Sequence, residues 1–141
     1  EQLVSVCRQM NLGEKAILEI FKRAIFNIVG RNQDDHTKNF GFLMNKQGLW
    51  SLSPAFDMTY SYDPSGMWTK NHQINLNGKN NNFTKDDIVA FWNYCNLKEK
   101  KSIEILENII KQFKKFEQLA DEYKVDTILK NTILKNIRFD L

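Results

Sequence analysis

The chain has 141 residues, 42% of them hydrophobic and 26% charged, which is ordinary for one soluble globular domain with one core. Its net charge of +3 is carried by no continuous Lys/Arg block, so nucleic-acid binding is not implied by charge alone. Two distant cysteines, Cys7 and Cys95, argue against a disulfide framework or zinc ribbon and fit a reducing, cytoplasmic setting, and no apolar run approaches the roughly 18 residues of a membrane span.

The opening Glu1-Gln2-Leu3-Val4 has neither the basic nor the long apolar region of a signal peptide. It also lacks an initiating Met, so the reading expects a fragment whose upstream part is missing. Asn11 with Glu14 predicts an N-cap and capping box. Ile17, Ile20, Phe21, Ala24, Ile25 and Ile28 then recur at helical spacing, and Gly30 is placed to end that helix. The stretch 31–39 is too polar for a core and reads as a loop.

Two short apolar runs, 40–44 and 49–52, flank Asn45-Lys46-Gln47-Gly48 and predict a β-hairpin, which Ser53-Pro54 ends. Residues 60–82 are rich in Asn, Gly, Ser and Asp and read as a long loop with one short strand near Ile74. Thr84 with Asp87 predicts the next N-cap, before Ile88, Phe91 and Trp92. A longer helix is expected from about 99 to 120, and a last one around Val125, Ile128, Leu129 and Ile133. Lys100-Lys101 and Lys114-Lys115 read as solvated helix faces. The fold class is therefore mainly α (α+β), one domain with one small hairpin.

The chemistry-bearing residues gather between Asp34 and Asp57. Phosphoryl transfer needs a carboxyl group to orient or accept the proton of an attacking hydroxyl, and oxygen ligands to hold Mg²⁺ against a triphosphate. Asp34 and Asn39 have the D-x-x-x-x-N spacing of a kinase catalytic loop. Asp57, between Phe56 and Met58, follows the hairpin. A hairpin reverses the chain, so Asp57 is expected to return to the cleft of Asn39 and share one ion with it. An Asp among apolar neighbours is costly to bury unpaired, which predicts a partner for Asp57.

The segment Gly30-Arg31-Asn32-Gln33-Asp34-Asp35-His36-Thr37-Lys38-Asn39-Phe40-Gly41-Phe42-Leu43, followed by Trp50-Ser51-Leu52-Ser53-Pro54-Ala55-Phe56-Asp57-Met58, closely resembles the HipA family of bacterial kinases. That family has a D-x-H-x-K-N loop and then a strand pair ending in an sPaYD turn. Asn77-Gly78-Lys79 with Phe83-Thr84 is similar to a further family segment, and the matches cover about half the chain.

The resemblance implies the helical C-terminal lobe of a protein-kinase-like fold over 1–141. Its catalytic loop is 31–39, its hairpin 40–52, its metal-Asp turn 53–58 and its helical tail 84–141. It implies an ATP-dependent Ser/Thr protein kinase, the toxin component of a bacterial toxin–antitoxin pair. Asp34 would be the catalytic base, and Asn39 and Asp57 the Mg²⁺ ligands. His36, Lys38, Asn39, Phe56 and Asp57 would line the ATP site. The implied partners are a protein substrate, a helix-turn-helix antitoxin and, through it, DNA; no membrane is implied. Phe56 stands where the family usually has Tyr, and Asp35 receives no role. No Gly-rich phosphate loop or strand lysine occurs in these residues, nor a match to the family's regulatory Ser loop. The N-terminal lobe is thus expected to be absent and the fragment inactive alone.

Other readings compete. Asp34, Asp35, His36 and Asp57 are the donor types of a metal-dependent phosphohydrolase. A non-catalytic module binding an antitoxin–DNA complex is a third class. More plainly, Asp34 and Asp35 could cap a turn, Asp57 and Asn39 could be turn residues, and Lys38 and His72 surface side chains. Trp50, Trp68 and Trp92 read as core or rim packing.

Overall fold

An apolar stripe of the kind carried by residues 17–28 needs partners on more than one side when its helix is central. In the computed structural model, which describes residues 1–141, that helix is α2 (Gly13–Gly30). It buries Ala16, Ile20, Phe21, Ala24, Ile25, Ile28 and Val29 against α1 (Gln2–Gln9), α3 (Lys85–Tyr94) and α4 (Glu99–Phe113). Phe21 stacks on Phe91 of α3 with ring centroids 5.6 Å apart, and Phe26 meets Phe113 of α4 at 4.9 Å. Fully burying one such ring stabilises by about 1.5–3 kcal/mol. The mainly helical α+β expectation holds: α5 (Phe116–Glu122) and α6 (Thr127–Asn136) complete the helices, and β1 (Phe42–Met44) and β2 (Trp50–Leu52) form the one sheet.

Several local expectations are corrected. Helix α1 was not foreseen, because an eight-residue helix burying only Val4 and Cys7 carries little periodic signal. Its presence moves Asn11 into the interhelical turn with φ 53°, so Leu12 precedes α2 and no side chain caps it. Gly30 is the last helical residue, and the left-handed exit position belongs to Arg31 at φ 57°. Glycine at 30 serves packing instead, since a Cβ there would lie 2.3 Å from the Phe113 ring. The helix expected over 99–120 breaks at Lys114 and Lys115, which separate α4 from α5.

The Thr84–Asp87 capping box is present, and Asp126 caps α6 through the Ile128 and Leu129 amides. Helices α5 and α6 pack on each other yet leave Leu119, Tyr123, Ile128 and Leu129 exposed. Residues 60–82 hold no strand near Ile74, only one isolated bridge between Leu76 and Lys79. Leu76 and His72 are buried within that segment, so the surface reading of His72 is wrong. Trp92 is core, but Trp50 and Trp68 are exposed. Both cysteines are free and buried, and burial pushes the Cys95 thiol up to about 12. No helix is long and apolar enough to cross a membrane.

Candidate active site

Polar residues enter a core only when their hydrogen bonds are supplied there. The loop after α2 meets that condition at Asn32 and Asp35, while Gln33 Nε2 is buried without a partner. Asn32, Gln33 and Asp35 are 2%, 0% and 0% exposed, against the expectation that 31–39 is too polar to bury. Asn32 Nδ2 donates to Asn27 Oδ1 at 3.2 Å and to the Asp57 carbonyl at 3.0 Å, and Asn32 Oδ1 accepts from the Ser61 hydroxyl at 3.0 Å. Gln33 Oε1 accepts from Arg31 Nη1 at 3.2 Å. Arg31 itself donates to the Asn136 carbonyl at the end of α6 and lies over the Tyr62 ring. Asp35 Oδ2 lies 2.7 Å from His72 Nδ1, while its Oδ1 accepts the Gln73 amide at 2.7 Å and the Ile74 amide at 3.3 Å.

Asp34 points the other way, with its side chain 46% exposed. Its backbone is held on both sides. The Asp34 amide donates to Ser61 Oγ at 2.9 Å, and the Asp34 carbonyl accepts from Asn39 Nδ2 at 2.9 Å. A 3₁₀ turn, Thr37–Asn39, brings Asn39 back beneath Asp34. His36 Nε2 is 3.8 Å from Asp34 Oδ1, and its Nδ1 is buried without a partner. Lys38 is exposed.

The hairpin then closes the circuit. Phe42 pairs with Leu52, Leu43 with Ser51 and Met44 with Trp50. The Ser53 amide extends the ladder to the Gly41 carbonyl at 2.9 Å, and buried Arg23 of α2 donates to the Ser53 carbonyl at 2.7 Å. The two ends of the hairpin are thereby side by side on α2. Asp57, four residues past Ser53 and in the left-handed region at φ 54°, presents Oδ2 to Asn39 Nδ2 at 2.8 Å. Asp57 and Phe56 are both exposed, so Asp57 meets its partner at the surface and not in an apolar pocket.

Asp34, Asn39 and Asp57 are thus brought together; Asp35 is not among them. Both of its oxygens are engaged in the interior, and no group of three or more His, Cys, Asp or Glu side chains converges anywhere in the chain. The donor set expected for a phosphohydrolase is therefore not assembled. Half-buried Asn39 and exposed Asp57 both carry hard oxygen donors, which suits Mg²⁺, an ion that keeps several waters. Sequence reasoning passed over Asn32, Ser61, Asp35 and His72.

The model of the HipA-like C-terminal domain family matches residues 1–119. The chain belongs to that family. The loop, the hairpin and the Asp57 turn all lie inside the matched span, which leaves out α6. No curated protein matches the chain closely enough to count as a relative. Membership of the HipA-like family places the chain among kinase-related proteins of toxin–antitoxin systems.

Proposed function

We propose that this domain is the catalytic and Mg²⁺-binding part of an ATP-dependent kinase that phosphorylates a Ser or Thr hydroxyl of a protein. One observation carries the reading: Asn39 Nδ2 bridges the Asp34 carbonyl at 2.9 Å and the Asp57 carboxyl at 2.8 Å, joining a catalytic-loop pattern to the Asp beyond the hairpin. Asp34, outward-facing and with its backbone held, accepts the proton of the attacking hydroxyl. Asn39 and Asp57 would hold the cation through their side-chain oxygens. His36, Lys38 and Phe56 lie on the same loop and turn and would line the nucleotide site. Mg²⁺ held there would neutralise charge on the γ-phosphoryl group that ATP would donate. The chain's own contribution is positioning and electrostatics, which is what such transfers chiefly need.

The protein substrate, a helix-turn-helix antitoxin and a cytoplasmic setting belong to the same proposal and rest on family membership. The phosphate-binding loop and lysine of a kinase belong to its N-terminal lobe, so residues 1–141 alone are expected to transfer little phosphate. The test is Asp34→Asn in the full-length protein, assayed for phosphotransfer from ATP. Loss of a positioned base costs on the order of 10²–10⁴-fold in rate. An exposed carboxyl supports little packing, so stability should stay within about 0.5 kcal/mol. Full activity in the variant would remove Asp34 from the mechanism; unfolding would favour a structural role.

A further inference from the structure

Asp34 does not hold itself in place, because its side chain makes no close contact that fixes its direction. Ser61 and Asn39 hold its backbone amide and carbonyl, and the residue beside it adds the buried anchor. Residues 32–36 form neither helix nor strand, and here the two neighbouring carboxyl groups part company: Asp35 is 0% exposed while the Asp34 side chain is 46% exposed. Asp35 is wholly buried and fastened at three points: His72 Nδ1 at 2.7 Å, the Gln73 amide at 2.7 Å and the Ile74 amide at 3.3 Å. Three bonds to one carboxyl group set both its position and its plane. The peptide unit it shares with Asp34 is then fixed, and with it the direction in which the Asp34 carboxyl leaves the backbone.

The far side of this contact is itself rigid. The His72 amide donates to the Asn80 carbonyl at 2.9 Å, and its ring lies against Phe83 at 5.3 Å. Leu76 and Phe83 are each 1% exposed in the core. Just beyond them, Asp87 receives Asn77 Nδ2 at 2.8 Å, Lys79 Nζ at 2.9 Å and the Thr84 amide at 2.8 Å, which ties the segment to the start of α3. The path from α3 to the candidate base is therefore continuous: α3, the 72–83 segment, His72, Asp35, Asp34.

We infer that Asp35 and His72 are positioning residues for phosphoryl transfer, a buried brace that aims the Asp34 carboxyl group; this rests on the kinase reading above. Neither residue reaches the solvent face where Asp34, Asn39 and Asp57 meet, so neither touches substrate. Their effect is on geometry, and a misplacement of about 1 Å can cost on the order of 10²-fold in rate.

The test uses His72→Phe and His72→Asn in the full-length protein. Phe keeps an aromatic ring beside Phe83 and deletes the nitrogen facing Asp35. Asn puts an amide nitrogen close to where Nδ1 stood. Two readouts are taken. Hydrogen exchange follows the Asp34 and Asn39 amides against the amides of α2 as a monitor of global stability. Steady-state phosphotransfer gives kcat and KM for ATP. His72→Phe should lose exchange protection at Asp34 and Asn39 while α2 stays protected. Its kcat should fall by on the order of 10–100-fold with KM for ATP unchanged, the signature of lost alignment and not of lost binding. His72→Asn should recover both. Unchanged protection at Asp34 in His72→Phe, or Phe and Asn variants that behave alike, would overturn the brace. If the unaltered protein transfers no phosphoryl group, the kinase reading falls, while the exchange comparison still decides whether the brace holds the loop.

Discussion

The loop 31–39 and the hairpin that follows it invert the usual relation of polarity to burial. The loop contains no apolar residue, yet Asn32, Gln33 and Asp35 are among the most buried side chains in the chain. The hairpin is apolar in sequence, yet Leu43, Met44, Leu49 and Trp50 are 53%, 58%, 67% and 49% exposed. The loop is held by directed hydrogen bonds to Asn27, Ser61, His72 and the 73–74 amides, each of which demands one geometry. The hairpin is held by its own ladder and by Arg23 at its base. Precision is invested where Asp34 must point; the hairpin needs only to bring its ends together.

That contrast is broken most directly at Asp35. Asp35→Ala would leave the buried His72 nitrogen and the Gln73 and Ile74 amides without their acceptor. We expect a loss of about 3–5 kcal/mol, the cost of breaking a buried, hydrogen-bonded pair. Urea denaturation of the 141-residue chain measures it. A loss below about 0.5 kcal/mol, the range of surface changes, would mean that the loop is not braced from within.

The same logic extends to acid. Burial works to raise the Asp87 carboxyl, but hydrogen bonds from Asn77, Lys79 and Thr84 outweigh it and hold the group well below the usual carboxylate range. A carboxyl group depressed in the folded state adds stability that is fully present above its unfolded pKa of about 3.9 and is lost as pH falls below that toward the folded value. The melting temperature of the wild type should therefore drop more steeply between pH 5 and about 2 than that of Asp87→Asn. Parallel profiles would detach the 72–83 segment from this charge.

The hairpin gives the smallest effect. Leu43→Thr removes an exposed apolar side chain from a strand and leaves a β-branched one. Stability should change by no more than about 0.5 kcal/mol in urea denaturation. A loss of several kcal/mol would show that the apolar face of the hairpin is part of the core of this chain, and the contrast would disappear.

How much of this was legible beforehand follows the same division. The hairpin, α2, the capped start of α3 and the helical character of the tail all carry local signals: period, turn residues and a Thr84–Asp87 box. The order loop, hairpin, Asp57 was readable from spacing. The buried half of the loop was not, because composition cannot distinguish a solvated Asn or Asp from one whose partners lie about 30 or 40 positions away. Ser61, 29 positions from Asn32, and His72, 37 from Asp35, supply those partners. The break between α4 and α5 at Lys114 and Lys115 was also hidden, since both residues favour helix.

The central claim is that Asn39 and Asp57, 18 positions apart and 2.8 Å from each other, serve one Mg²⁺. Calorimetric titration of ATP, with and without Mg²⁺, on the full-length wild type, Asp57→Ala, Asn39→Ala and the double variant tests it most directly. Asp57→Ala should abolish the Mg²⁺-dependent part of ATP binding. Asn39→Ala should weaken it less, because a neutral amide oxygen is a poorer ligand for a hard cation than a carboxylate. The double variant should be little worse than Asp57→Ala, since residues sharing one ion do not act independently. Full additivity of the two losses, or unchanged Mg²⁺ dependence in Asp57→Ala, would contradict the shared site.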